Sequence, residues 1–157
     1  MRILAFLAVL LTAMALVPGG AHVFAMANKL AMPQDAYFAA QAAYRGWSLL
    51  GAVIIAALAV DLAFAVLLHQ RQQPSGLAFA GFLCLALSLL AFFVWTWPAN
   101  QATADWTTVP ADWETVRRQW EYGHAAAAAL TFAAFAAIVA AALRIEPPEA
   151  TSAARET

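Results

Sequence analysis

Four apolar stretches, each long enough to cross a bilayer as a helix, leave this chain few other ways to fold. They cover residues 3–24, 46–68, 76–97 and 123–143. A helical span needs about 20 residues at about 1.5 Å each. Lipid offers an open backbone no hydrogen bonds, and the alternating strands of a membrane barrel do not occur in the sequence. The expected fold is therefore all-α, an integral membrane four-helix antiparallel bundle. Composition agrees: of 157 residues, 64% are hydrophobic and 11% charged, against roughly 25% charged in a soluble domain. A core of this size could not hide that much apolar surface from water.

The scarce polar residues exclude several function classes. Eight Lys and Arg against nine Asp and Glu leave a net charge of −1, so there is no basic face for nucleic acid. Cys84 is the single cysteine, which excludes a disulfide scaffold, a thiolate zinc site and dithiol redox chemistry.

Residues 1–143 read as one transmembrane domain. A tight turn at 69–75 lies on one face, and the long connections 25–45 and 98–122 lie on the other. The polar tail 144–157, with Pro147-Pro148, is expected to be disordered. Arg2, the run to Val17, Pro18-Gly19-Gly20 and Val23-Phe24-Ala25 also fit a signal peptide cleaved after Ala25. The other reading is a first span kinked at Pro18. Positive charges tie across the two faces: Arg2, Arg71, Arg144 and Arg155 against Lys29, Arg45, Arg117 and Arg118. The closeness of Arg144 and the short turn to span ends favours cytoplasmic termini, in a bacterial inner membrane. Ala125, Ala129, Ala133, Ala137 and Ala141 form a small-residue edge on the fourth span. Such an edge suits close helix packing within the bundle, or a homo-oligomer.

All six Trp and all three Tyr gather toward the face of the long connections. An anchoring belt would decorate both interfaces, so this face carries a built structure. In the segment from Pro110 to His124, Trp113, Arg117, Trp120 and His124 fall on one helical stripe, while Glu114, Arg118 and Glu121 form a separate ridge expected to face water. Tyr37, Gln41 and Tyr44 make a similar stripe after Pro33. Two amphipathic helices lidding one mouth of the bundle is the simplest arrangement.

Two histidines lie at that mouth. His22 and His124 either share a site, with Asn28, Asn100 and Arg117 as polar neighbours, or are independent interfacial residues bonded to backbone. His69, at the other face, reads as interfacial. Asp61, in mid-span, is either a proton-relay or substrate group, or a neutral acid bonded to a neighbouring helix through Ser88 or Thr131.

Trp95-Thr96-Trp97-Pro98-Ala99-Asn100, followed by Trp113, Arg117, Trp120 and His124 at their spacing, resembles the signature of the anthrone-oxygenase-like family of small four-helix membrane proteins. The resemblance implies oxidation of an anthrone to an anthraquinone by dioxygen, without metal or flavin. It implies that Asn100, Trp113, Arg117, Trp120 and His124 line or gate the site, with His124 as the base, and that aromatic walls hold a flat substrate. Trp97, His22, Tyr44 and Asn28 would complete the binding surface. The long charged stretch 103–114 and the Ala-rich fourth span depart from the family's enzymes. Three other readings compete with it. One is a non-enzymatic lipid- or quinone-binding protein. A second is a haem site on His22 and His124, and the third is a small proton-coupled exporter centred on Asp61.

Overall fold

The computed structural model describes residues 1–145; its regular elements are all helices, with no strand among the described residues. The tail expected to be disordered lies, from residue 146 onward, outside the described residues. The helices are α1 (Arg2–Leu30), α2 (Gln34–Gln41), α3 (Gly51–Gln70), α4 (Gly76–Ala91), α5 (Trp97–Ala102) and α6 (Trp113–Leu143). Four segments are long and apolar enough to cross a membrane: α1, Trp47–Gln70, Gly76–Ala102 and α6. Only 22% to 28% of each apolar window is buried inside the molecule. Side chains such as Phe6, Phe24, Ile55 and Phe132 are left on the outside, as lipid-facing helices require.

The core is built in three layers. Ala5, Ala8, Phe64, Leu68, Ala78 and Ile138 fill the end that holds the N-terminus and the short turn. Ala15, Ala57, Leu85 and Ala134 fill the middle. Ala99, Val116 and Trp120 close the far end, with Tyr44 and Trp106 against them. Glycines set the closest helix approaches. A Cβ added at Gly81 would lie 2.7 Å from Ile138, and one at Gly123 would lie 2.9 Å from Trp95. Contacts between the Gly76–Ala102 span and α6 therefore run in opposite order along the two segments.

The alanine edge behaves differently from expectation. Ala129 and Ala133 are exposed, Ala125 and Ala137 are half-buried, and Ala141 alone of the five is buried. The packed face of α6 instead carries Ala128, Thr131, Ala134, Ile138 and Ala141. Close approach comes from glycines instead, Gly19 and Gly81 on the partner helices, against Ala128 and Ile138, and Gly123 on α6 itself.

Two prolines lie inside spans. Pro18 is enclosed in a continuous α1. Pro98 follows five residues, Phe92–Thr96, wound as a π-helix. Proline lacks the amide N–H and crowds the carbonyl four residues back, and the wider turn relieves this. Thr96 is thereby buried against Gly123 while Trp95 turns outward.

Candidate functional site

Length places the site. At about 1.5 Å per residue, the 29 residues of α1 and 31 of α6 exceed the hydrocarbon thickness by roughly 10 Å or more. The end of α1 and the first turns of α6 overrun at the same face, where polar groups are cheaper to place. α1 runs past residue 24 and brings Lys29 two turns beyond His22 on the same side. α6 begins at Trp113, after an Asp112 cap rather than at Pro110, and continues into its apolar half without a break.

An ion pair lies at the centre. Lys29 Nζ donates to Glu121 Oε1 at 2.9 Å, with the two side chains 3% and 0% exposed. The Tyr37 hydroxyl donates to the same oxygen at 3.0 Å. Burial first, and the Glu121 carboxylate next, hold the Tyr37 phenol far above its ordinary pKa, so it stays a neutral donor. Glu121 is thus not part of a water-facing ridge. The Glu114–Arg118 pair of that ridge is exposed, at 3.9 Å, but Glu121 turns inward to meet α1 and α2.

Rings pack around the pair. Lys29 Nζ sits 4.7 Å from the Trp120 ring centre and 5.0 Å from that of Tyr44, a cation–π arrangement. His22 packs at 4.1 Å on His124, 4.4 Å on Tyr44 and 4.9 Å on Trp120. His124 Nδ1 lies 3.0 Å from the Trp120 carbonyl. A carbonyl only accepts, so Nδ1 carries the hydrogen and the neutral ring keeps a bare lone pair on Nε2. His22 Nδ1 faces Lys29 Nζ at 3.5 Å. An ammonium only donates, so this nitrogen is the acceptor.

Asn100 holds the second connection. Its Oδ1 accepts from Trp120 Nε1 at 2.8 Å and from Trp106 Nε1 at 3.2 Å. The connection pays for this seat in backbone strain, since Ala104, Asp105 and Trp106 have φ of 46°, 54° and 65°, each left-handed and unfavourable for a non-glycine residue. Arg117 Nη1 donates to the Met32 carbonyl at 2.8 Å and stacks 4.5 Å from the Trp113 ring centre, tying α6 to the start of the first connection.

His22, Tyr44, Asn100, Trp113, Arg117, Trp120 and His124 are therefore drawn into one continuous cluster. Asn28 is exposed beside Lys29, and Trp97 is 46% exposed with its ring against Phe93, so neither joins it. Lys29, Glu121 and Tyr37 join without having been singled out as site residues. The seven-residue spacing from His22 to Lys29 was the available signal, but it needs a first helix longer than its apolar run.

Asp61 lies apart, buried in the bundle. Thr12 Oγ1 is 3.0 Å and 3.3 Å from its two carboxyl oxygens and also donates to the Ala8 carbonyl at 2.8 Å. The partner is thus on α1. Ser88 and Thr131 bond backbone carbonyls of their own helices instead. Among the described residues no cluster of three or more His, Cys, Asp and Glu is arranged to hold a metal ion. For His22 and His124 to ligate one iron at about 2 Å per bond, their ring centres would need to part to roughly 6 Å. No family model, curated protein or solved structure matches the chain.

Proposed function

We propose that this chain is an anthrone-oxygenase-like membrane protein that binds a flat, apolar aromatic molecule at the mouth formed by α1, α2 and α6. The observation that carries the reading is the His22–His124 contact at 4.1 Å within a wall of Trp120 and Tyr44 rings. Aromatic walls bind flat rings by stacking, and one lone-pair nitrogen among them is a proton acceptor. His124 Nε2 is that nitrogen, since Nδ1 is committed to the Trp120 carbonyl.

The chemistry this supports is deprotonation of an activated methylene. His124 takes a proton from the carbon, and the resulting electron-rich anion reacts with dioxygen. Overall the methylene loses two hydrogens, one oxygen atom becomes the new carbonyl and the other leaves as water. General-base catalysis of this kind contributes about 10²–10⁴-fold. The rings fill the mouth themselves, so entry requires α2 and the turn at Trp47–Leu50 to move aside.

The termini are assigned to the cytoplasm of a bacterial inner membrane, with the mouth on the opposite side; cysteine-accessibility labelling at Gln72 and at Asp105 tests this. Oxygen uptake by the purified protein with an anthrone tests the enzymatic reading. Turnover that falls at least tenfold in His124→Ala supports it. Turnover equal to the buffer rate, with the anthrone still bound, leaves a non-enzymatic binding protein for quinones or lipids.

A further inference from the structure

The hydrogen bonds around Glu121 are lopsided. Oε1 accepts from both Lys29 and Tyr37, while Oε2 is buried and has no partner. One turn after Tyr37 on α2, Gln41 is 95% buried; its side chain lies near enough to the Tyr37 hydroxyl to bear on it, but neither its amide nitrogen nor its carbonyl oxygen makes a well-formed hydrogen bond. Positions four apart on a helix share a face, so Gln41 looks toward the same Tyr37–Glu121 contact. Buried polar groups are almost always satisfied, and leaving one bare costs about 1–3 kcal/mol. An unpartnered carboxylate oxygen and an unpartnered amide flanking one phenol therefore describe a place built for something else.

We propose that Gln41, Tyr37 and Glu121 form a buried site for one uncharged hydroxyl group, taken from water when the mouth is empty and from a phenolic ligand when it is filled. The chemistry follows from the donor count. Glu121 Oε2 only accepts and the Gln41 amide nitrogen donates, so the occupant must donate once and accept once. A hydroxyl does both. A carbonyl cannot donate to Oε2, and an anion is repelled by the carboxylate. Lys29 is committed to Oε1 and leaves Oε2 free for this role. The ligand half of the proposal rests on the mouth being an aromatic-binding site, whereas the water half does not.

Two measurements test it, both on the full chain in nanodiscs. The first is binding of 1-naphthol and of its methyl ether, 1-methoxynaphthalene, followed by tryptophan quenching. The site predicts that naphthol binds about tenfold tighter, as one added hydrogen bond allows, and that Gln41→Met removes the preference without abolishing binding of the ether. The second is a structure of the unliganded protein in which waters are resolved, together with the stability of Gln41→Met. The site predicts an ordered water within about 3.2 Å of Gln41 and of Glu121 Oε2, and a variant no more stable than the parent. A water there with neither naphthalene bound supports the hydroxyl site and overturns the aromatic mouth. Equal binding of the two probes overturns the ligand half. A dry site, with Gln41→Met more stable than the parent, overturns the proposal altogether.

Discussion

Lys29 and Glu121 are 92 positions apart in sequence yet meet at 2.9 Å as a buried ion pair that joins the end of the first span to the approach of the fourth. Removing one partner of such a pair strands the other charge, at a cost of about 3–5 kcal/mol. Lys29→Met should lower the unfolding free energy in detergent by that order. Lys29→Met with Glu121→Leu should recover most of the loss, since replacing both charges by apolar groups is often near neutral. A double variant as unstable as the single one would mean that the pair does more than neutralise itself.

Asn100 should prove equally directional. Asn100→Leu leaves two indole N–H groups, of Trp106 and Trp120, without their acceptor. We expect a loss of about 1–3 kcal/mol and a red-shifted, more quencher-accessible tryptophan emission. Asn100→Asp, which keeps the accepting oxygen, should retain the emission of the parent protein.

The left-handed run at Ala104–Trp106 invites the opposite outcome. Ala104→Gly, at φ 46°, should stabilise the protein by up to about 1 kcal/mol, because glycine enters that region at little cost. A destabilised variant in thermal unfolding would show that the conformation is unstrained.

Much of the bundle could be read from the chain, and the reason is physical. Span length is set by bilayer thickness, so a run such as 46–68 announces itself. The stripe of Trp113, Arg117, Trp120 and His124 follows from helical spacing alone, and the structure gathers it with His22, as one-sided aromatics suggested. Glu121 was not legible in the same way. It lies on the helix surface between the Arg117 stripe and the Glu114 ridge, and what turns it inward is Lys29 arriving from another helix. The Thr12–Asp61 contact is hidden for the same reason: Asp61 needs a partner, and periodicity cannot say whether it comes from α1, α4 or α6. Asn28 and Lys29 are adjacent, and only the continuation of α1 past residue 24 decides which is buried.

Asp61 gives a clean separation between structure and chemistry. Asp61→Asn keeps a hydrogen-bonding group beside Thr12, so stability should change by less than about 1 kcal/mol, whereas Asp61→Leu strands nothing charged but overfills the contact. Ligand binding and oxygen uptake unchanged in Asp61→Asn would remove this residue from the mechanism. A tenfold fall without unfolding would put it there.

N-terminal sequencing of the mature protein bears on the first span, because cleavage after Ala25 would remove Thr12 and His22 from their buried positions. A mature chain that keeps residues 1–25 is the expected result, and one starting at Met26 would dismantle the site.

The central claim, that the mouth holds an aromatic small molecule, is tested most directly by mass spectrometry of what co-purifies with the protein in mild detergent. The account predicts an aromatic or phenolic compound with the parent protein, reduced at least tenfold in Trp120→Ala and His124→Ala preparations that remain folded. Ordinary phospholipid alone, in equal amounts in all three, would contradict it.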